Sequence, residues 1–127
     1  MKKSIYYWSP CLTNIATVKA TINSAISLTK YSNQYDVKII NVCGEWNKYK
    51  NYLFKKNVSI ENLSFDYFSL LPKNGFIKYR ISTLIIFLVS LIPLIFFIKK
   101  NKPDYFMIHM ITSLPLILFN FFKLKTK

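Results

Sequence analysis

The sequence is poor in glycine, proline and cysteine, and each shortage excludes a class of protein. Two glycines and five prolines in 127 residues are too few for a collagen-like chain or a flexible linker. Two cysteines, Cys11 and Cys43, are too few for a disulfide scaffold, and no histidine–cysteine cluster has zinc-ligand spacing. Because 52% of the residues are hydrophobic and 18% are charged, a disordered polar chain is excluded as well.

Acidic residues are also scarce, so the charge balance is strongly basic. Five acidic residues stand against 18 basic ones, which gives a net charge of +13. This excess suits phosphate, nucleic acid or an anionic membrane as a partner. It also fits compositional drift from AT-rich codons, since arginine occurs once, at Arg80. The lysines are scattered and the aromatic residues lie in apolar runs, so we expect no nucleic-acid partner.

Apolar runs alternate along the chain in a way that predicts an α/β fold. The prediction is a Rossmann-like parallel sheet with crossover helices, because strand and helix patterns follow one another. In such sheets ligands bind beyond the carboxyl ends of the strands. Residues 46–57 fit no element. Strands are expected at 4–8, 37–42, 58–65 and 105–109, and helices at 18–30, 81–98 and 116–124.

Residues 81–98 carry no charge, and three interpretations of them stay open. As a helix they cover about 27 Å, close to the lower limit for a hydrocarbon core of about 30 Å. They also fit a crossover helix that touches the membrane, or one that is buried by further protein. Basic flanks favour contact with anionic lipid. The expected membrane contacts are Lys78, Arg80, Phe87, Phe96, Phe97, Lys99 and Lys100.

His109, the only histidine, follows the last predicted strand. A neutral imidazole there can accept a hydroxyl proton or hold a sugar hydroxyl, although a hydrogen-bonded histidine at a strand end is the plainer explanation. If residues 81–98 link two side-by-side parallel strands, His109 lies on the same edge as Thr13 and Glu45. The sequence therefore predicts one polar site at this edge.

Two loops supply the other candidates. Thr13 and Asn14 lie in the first strand-to-helix loop, where they can bind a ligand or cap the helix, and no G-x-G-x-x-G pattern is present. After the second strand, Gly44-Glu45-Trp46 offers an acid for ligand hydroxyls and a ring to stack on a sugar. The alternative is a turn glycine, a surface acid and a lid aromatic. Both cysteines are interpreted as packing residues, because nothing nearby activates them.

Three segments in order carry a family resemblance. They are the strand and loop at 6–14, the strand at 37–42 with Cys43-Gly44-Glu45, and the run Lys-Pro-Asp-Tyr-Phe-Met-Ile-His at 102–109. Together they resemble the N-terminal half of a family 4 glycosyltransferase with the GT-B fold. The resemblance covers nearly the whole chain and makes residues 1–127 a single acceptor-side domain, with the donor-binding C-terminal domain absent.

The resemblance implies transfer of a hexosyl group from a nucleotide sugar to an acceptor hydroxyl, on a cell-envelope glycan or a lipid-linked sugar. It implies no metal and no cofactor, and a cytoplasmic location at the inner face of the cell membrane. As a fragment, the chain is expected to be inactive. His109 falls on the catalytic position, and the acceptor is expected at Thr13, Asn14, Gly44, Glu45 and Thr112. The alternative is a small membrane-anchored protein that spans at 81–98 and has no enzymatic role.

Overall fold

A computed structural model describes residues 2–9, 16–72, 74–108 and Asn120 of the chain. Strands and helices alternate within these residues, as the apolar pattern predicts. Two short 3-10 helices lie at Asn47–Tyr49 and Phe68–Leu70. In chain order the elements are β1 (Lys3–Trp8), α1 (Ala16–Tyr31), β2 (Tyr35–Asn41), α2 (Lys50–Phe54), β3 (Ser59–Asn62), α3 (Phe76–Asn101) and β4 (Tyr105–Ile108).

The four strands form one parallel sheet in the order β3-β2-β1-β4. This confirms the α/β class and the Rossmann-like parallel arrangement. The register pairs Tyr7 of β1 with Ile39 of β2 and with Met107 of β4. β1 is therefore central, and its carboxyl end lies beside those of β2 and β4. We call the edge of the sheet where the strands end the carboxyl edge.

Side chains alternate across the sheet and build a core on each face. On one face Ile5 and Tyr7 pack with Val18, Ile22 and Ala25 of α1. Ile26 of α1 packs against the same core and is partly buried. On the other face the core holds side chains from β1, β2 and α3: Tyr6, Trp8, Ile40, Val42, Phe87 and Leu94. The sheet is thus covered by α1 on one side and by α3 on the other.

The crossover through α3 differs from the prediction. It joins β3 to β4, which lie at opposite edges of the sheet with β2 and β1 between them. The expectation that residues 81–98 connect two side-by-side strands is therefore wrong, although both strands are parallel members of one sheet. The physical reason is that α3 packs over the two middle strands: Phe87 and Leu94 lie against side chains of β1 and β2, so the chain passes both strands before it reaches β4.

Several element boundaries differ from those that the pattern predicts. α3 begins at Phe76, so the basic residues Lys78 and Arg80 lie inside the helix. It ends where Lys102 adopts a left-handed φ of 44°. β3 is limited to four residues, and the unassigned stretch 46–57 contains a 3-10 helix and α2. The helix expected at 116–124 lies outside the described residues, apart from Asn120.

Hydrogen bonds from Ser4 to the Asp104 side chain fix β4 to β1 at the end of the sheet where the strands begin, opposite the carboxyl edge. The Asp104 carboxylate accepts hydrogen bonds from the backbone N–H of Ser4, at 2.8 Å, and from its hydroxyl, at 3.0 Å. These bonds lower the pKa of Asp104. The adjacent Pro103 is fully buried. The Lys-Pro-Asp run, which the resemblance used as a motif, thus ends α3 and anchors β4.

Candidate functional site

Polar side chains gather at the carboxyl edge where β2 and β3 end. Asn41, the last residue of β2, is 2% exposed and donates from Nδ2 to Asn47 Oδ1, at 2.9 Å, and to Asn62 Oδ1, at 2.7 Å. Its Oδ1 accepts from the backbone N–H of Trp46, at 3.0 Å. Both amide protons and the carbonyl of Asn41 are used within the protein. Asn41 therefore fastens the loop after β2 to β3.

The same network continues to Asp66. Asn47 Nδ2 donates to Asp66 Oδ2 at 2.6 Å, and the backbone N–H of Phe68 donates to Asp66 Oδ1 at 3.2 Å. Gly44 lies beneath this carboxylate with φ +97°, and a Cβ at residue 44 would collide with Asp66. A glycine is needed there because of both the left-handed backbone and the close side chain. That requirement explains Gly44 without a ligand; acceptor binding by Gly44 stays a prediction.

Glu45 is neither a surface acid nor an open ligand group. The side chain is 3% exposed, and its carboxylate accepts from the backbone N–H groups of Val42, at 3.1 Å, and Cys43, at 2.8 Å. Cys43 Sγ donates to the same carboxylate at 3.1 Å. Burial raises the pKa of Glu45 above its ordinary value, while the backbone donors partly oppose the rise. Both predictions for Glu45 are corrected: its buried carboxylate pairs the backbone N–H groups at the end of β2.

Trp46 is likewise a core residue. It is 1% exposed and packs with Leu53 and Val58 in the core on the α1 side, with its ring 5.7 Å from that of Tyr49. It cannot stack on a sugar in this position, so that prediction and the lid alternative are both wrong. The signal that the sequence offered was an apolar ring four residues before α2 begins, followed directly by the polar residues Asn47 and Lys48. That pattern fits a buried anchor for the turn as well as a lid.

Cys43, Tyr67 and Ser90 form a second buried group, between the end of β2 and α3. Burial raises the pKa of the Cys43 thiol far above its usual range, and the Glu45 carboxylate adds to this. Burial also raises the pKa of Tyr67 to about 12, with the Cys43 side chain contributing. The thiol is fully buried, which agrees with its interpretation as a packing residue. A protonated, enclosed thiol is a poor nucleophile.

The predicted catalytic and first-loop residues fall outside the described part of the chain. They are His109, Thr13, Asn14, Thr112 and Cys11. The structure does describe the strands that precede them, β1 and β4. Trp8 pairs with Ile108, so residues 9 and 109 follow neighbouring strands at the same edge. Glu45 follows β2, on the other side of β1.

The predicted membrane contacts divide into two sets. Lys78, Arg80, Lys99 and Lys100 are exposed, and Phe96 is 70% exposed.

Two aromatic residues of that prediction face inward instead. Phe87 is 3% exposed, and its ring lies 6.4 Å from that of Trp8. Its assignment as a membrane contact is wrong, because it points to the sheet. Phe97 is half-buried, 5.5 Å from the Tyr6 ring.

Sequence reasoning did not identify the polar network itself. Asn41, Asn47, Asn62 and Asp66 were not among the candidates. A signal was available in β2, since Asn41 interrupts the apolar run Ile39-Ile40 before Val42. A buried amide at a strand end usually has hydrogen-bond partners, so this asparagine predicts polar partners in the neighbouring loops.

Two general features of the described residues bear on function. Across 2–9, 16–72, 74–108 and Asn120, no three His, Cys, Asp or Glu side chains are grouped to hold a metal ion. Of the helices in these ranges, α3 alone is long and apolar enough to cross a bilayer, and 33% of its most apolar window is buried in the protein. Length and composition by themselves are weak support for a span.

The chain was compared with family models, with curated proteins and with solved structures. No family model matches it, and neither a curated protein nor a solved structure is found to be similar.

Proposed function

We propose that this chain is the acceptor-binding half of a glycosyltransferase with the GT-B fold. The intact enzyme would transfer a sugar from a nucleotide sugar to a hydroxyl of a cell-envelope glycan or a lipid-linked acceptor. It would work in the cytoplasm at the inner face of the membrane. The nucleotide sugar would be held by a further domain. The observation that carries the proposal is the strand order β3-β2-β1-β4.

This order supports a ligand crevice between β1 and β4. The chain passes from β1 to β2 and then to β3 at one edge, and returns through α3 to β4 on the other side of β1. In open parallel sheets the loops diverge at such a reversal and leave a crevice beyond the strand ends. Residues 9–14 and 109–112 continue from the two strands that border it.

The polar network supports the same location, because its side chains already occupy the alternative place for a ligand, at the ends of β2 and β3. Over β2 and β3, the side chains of Asn41, Glu45 and Asp66 already bind the protein's own polar groups. A ligand there would have to displace these bonds. The proposal therefore assigns the acceptor to Thr13, Asn14 and Thr112, with His109 beside the reacting hydroxyl.

His109 would act on the acceptor hydroxyl. In the transfer, the acceptor oxygen bonds to C1 of the sugar, the bond from C1 to the phosphate oxygen breaks, and a nucleoside diphosphate leaves. The hydroxyl proton must be taken up or oriented, and a neutral imidazole can do either near pH 7. This role makes the free imidazole, rather than its protonated form, the active one.

The test uses the intact gene product, with radiolabelled UDP-, GDP- and dTDP-sugars and cell membranes as acceptor. We expect label in lipid or polymer, and a loss of about 100-fold or more for His109→Ala, typical of a lost proton-transfer group. Asn23→Ala, on the exposed face of α1, is the matched control and should leave transfer unchanged. The proposal is wrong if the coding sequence adds no second α/β domain, or if no sugar is transferred.

The alternative of a spanning anchor has one supporting observation, the apolar length of α3. Against it stands the packing of Phe87 and Leu94 on Trp8, Ile40 and Val42. A span would remove these side chains from the sheet and expose the core that they cover. Release of the protein from membranes by alkaline carbonate is expected, and full resistance would favour the span.

A further inference from the structure

One side of α3 faces the protein, and its buried residues form what we call the inner stripe. At every fourth position a residue faces the protein and is buried: Ser82, Ile86, Ser90, Leu94 and Ile98. The Ser82 hydroxyl donates to the backbone carbonyl of Pro72 at 2.7 Å, which fixes the helix to the preceding loop. One stripe is enough to attach α3, since a helix packing on a sheet needs one apolar face.

The opposite side of α3 is apolar too, and the described protein does not cover it. Exposure there ranges from 39% at Ile85 to 71% at Ile77. This row runs for about 28 Å at 1.5 Å per residue. A soluble monomer seldom exposes a continuous apolar patch of this kind without a partner. We call it the outer stripe: Ile77, Ile81, Leu84, Ile85, Leu88, Val89, Ile92 and Phe96.

The charges at the two ends of α3 indicate which kind of partner covers the outer stripe. Lys78 and Arg80 lie near its start, and Lys99 and Lys100 near its end, all exposed. The sequence has no acidic residue between Asp66 and Asp104. The Arg80 guanidinium lies 5.1 Å from the centre of the exposed Phe76 ring, an arrangement of cation and aromatic suited to a lipid headgroup layer.

We propose that the outer stripe lies flat in the interface of an anionic lipid bilayer. Apolar side chains would enter the boundary between headgroups and acyl chains, as in helices that lie in the membrane plane. The basic ends would contact anionic headgroups, each contributing to binding. This docking surface gives the proposed membrane location a defined contact surface, and it does not depend on the proposed sugar transfer, because it rests on the exposure and charge of α3 alone.

The packing of α3 fixes the orientation that docking would impose. Phe87, near the middle of α3, contacts Trp8 at the end of β1, and Phe97, near the end of α3, contacts Tyr6 earlier in β1. The helix therefore runs antiparallel to the strands. With α3 flat on the bilayer, the strands run along the membrane surface, and the carboxyl edge opens sideways, near the headgroups. A headgroup-linked molecule could then reach that edge laterally.

The experiment is cell-free synthesis of the chain with vesicles of phosphatidylcholine, with or without phosphatidylglycerol, followed by flotation. We expect flotation with phosphatidylglycerol, reduced by salt, and little with phosphatidylcholine alone. Alkaline carbonate should release the bound protein. Equal flotation with both vesicles, or resistance to carbonate, overturns the proposal, the second result in favour of a span.

Two pairs of variants locate the surface. Phe96→Gln on the outer stripe should weaken flotation, whereas Phe54→Gln, at an 82% exposed aromatic residue of α2, should not. The double variant Lys99→Gln/Lys100→Gln should weaken binding about tenfold or more, since each basic group contributes about 1 kcal/mol at an anionic surface. Lys55→Gln/Lys56→Gln is its control. Equal effects within either pair would overturn the assignment of this surface.

Light scattering on the purified chain separates lipid from a second copy as the occupant. A monomer that still floats with anionic vesicles supports the proposal. A dimer that Phe96→Gln dissociates, in a protein that does not float, would show that the outer stripe is an interface between copies.

Discussion

The two helices that cover the sheet solve the same packing problem but differ in what they show to the outside. α1 buries Val18, Ile22 and Ala25, and exposes polar residues such as Lys19 and Asn23. α3 buries a stripe of the same kind and exposes another apolar stripe. Folding explains both inner stripes, because each covers one face of the sheet. It does not explain the outer stripe of α3, so that stripe needs another cause, and contact with a membrane is the one we propose.

The largest expected effect tests whether the two sides of α3 differ as described. Phe87→Ala removes a buried ring next to Trp8 and should lower the free energy of unfolding by about 3–5 kcal/mol. Phe96→Ala, on the outer stripe, should change it by about 0.5 kcal/mol or less. Urea unfolding monitored by circular dichroism measures both. Similar losses for the two variants would mean that the outer stripe also packs against protein.

The second prediction concerns Asn41, whose side-chain polar atoms are all paired at the end of β2. Asn41→Ala leaves the Trp46 N–H and the side-chain oxygens of Asn47 and Asn62 without their partner. We expect a loss of about 1–3 kcal/mol, the usual cost of buried groups left unpaired. Thermal unfolding of the variant checks this, with Asn23→Ala on the surface of α1 as control. A neutral Asn41→Ala would show that the network does not hold the carboxyl edge together.

These two predictions show how far the sequence alone leads. Periodicity predicted β1, β2 and α1, because the spacing of buried side chains is a local property of each element, and their alternation predicted the parallel sheet. It did not predict α2, which lies in the stretch 46–57 that fitted no element. It did not give the neighbour of β4, since which strands pair is decided by the path of α3 over the whole sheet. Nor did it give the role of Glu45, whose partners are backbone N–H groups that exist only once β2 ends in its turn.

A third prediction uses the buried carboxyl of Glu45 at the end of β2. Because the pKa of Glu45 is raised in the folded protein, the folded state keeps a proton that the unfolded chain loses near its ordinary value of 4.5. Stability should therefore fall as the pH rises through and above 4.5, by at most about 1.4 kcal/mol per pH unit for one group, and then level off.

The control for this slope is Glu45→Gln, which should flatten it. Asp104 has a lowered pKa, so its contribution is lost only as the pH falls below about its ordinary value of 3.8 and has the opposite sign. Cys43 and Tyr67 have raised pKa values and act only at alkaline pH. Urea midpoints measured between these limits should separate the variant from the parent. A stability that rises with pH in this window would contradict the burial of the carboxyl group.

The smallest expected effect on stability is the most informative about the outer stripe. Leu88→Lys places a charge at a residue that is 53% exposed, so the free energy of unfolding should change by no more than about 0.5 kcal/mol. Lys19→Leu makes the reverse change on the exposed face of α1 and should also be nearly neutral. If the exposed fraction of a side chain alone decided the effect of its substitution, these two variants would behave alike in every assay. We expect them to differ in vesicle flotation: Leu88→Lys should reduce it, because a charge then enters the apolar part of the interface, whereas Lys19→Leu should leave it unchanged. Unchanged flotation for Leu88→Lys would remove the contrast between the helices, since the outer stripe would then be apolar without a membrane to meet.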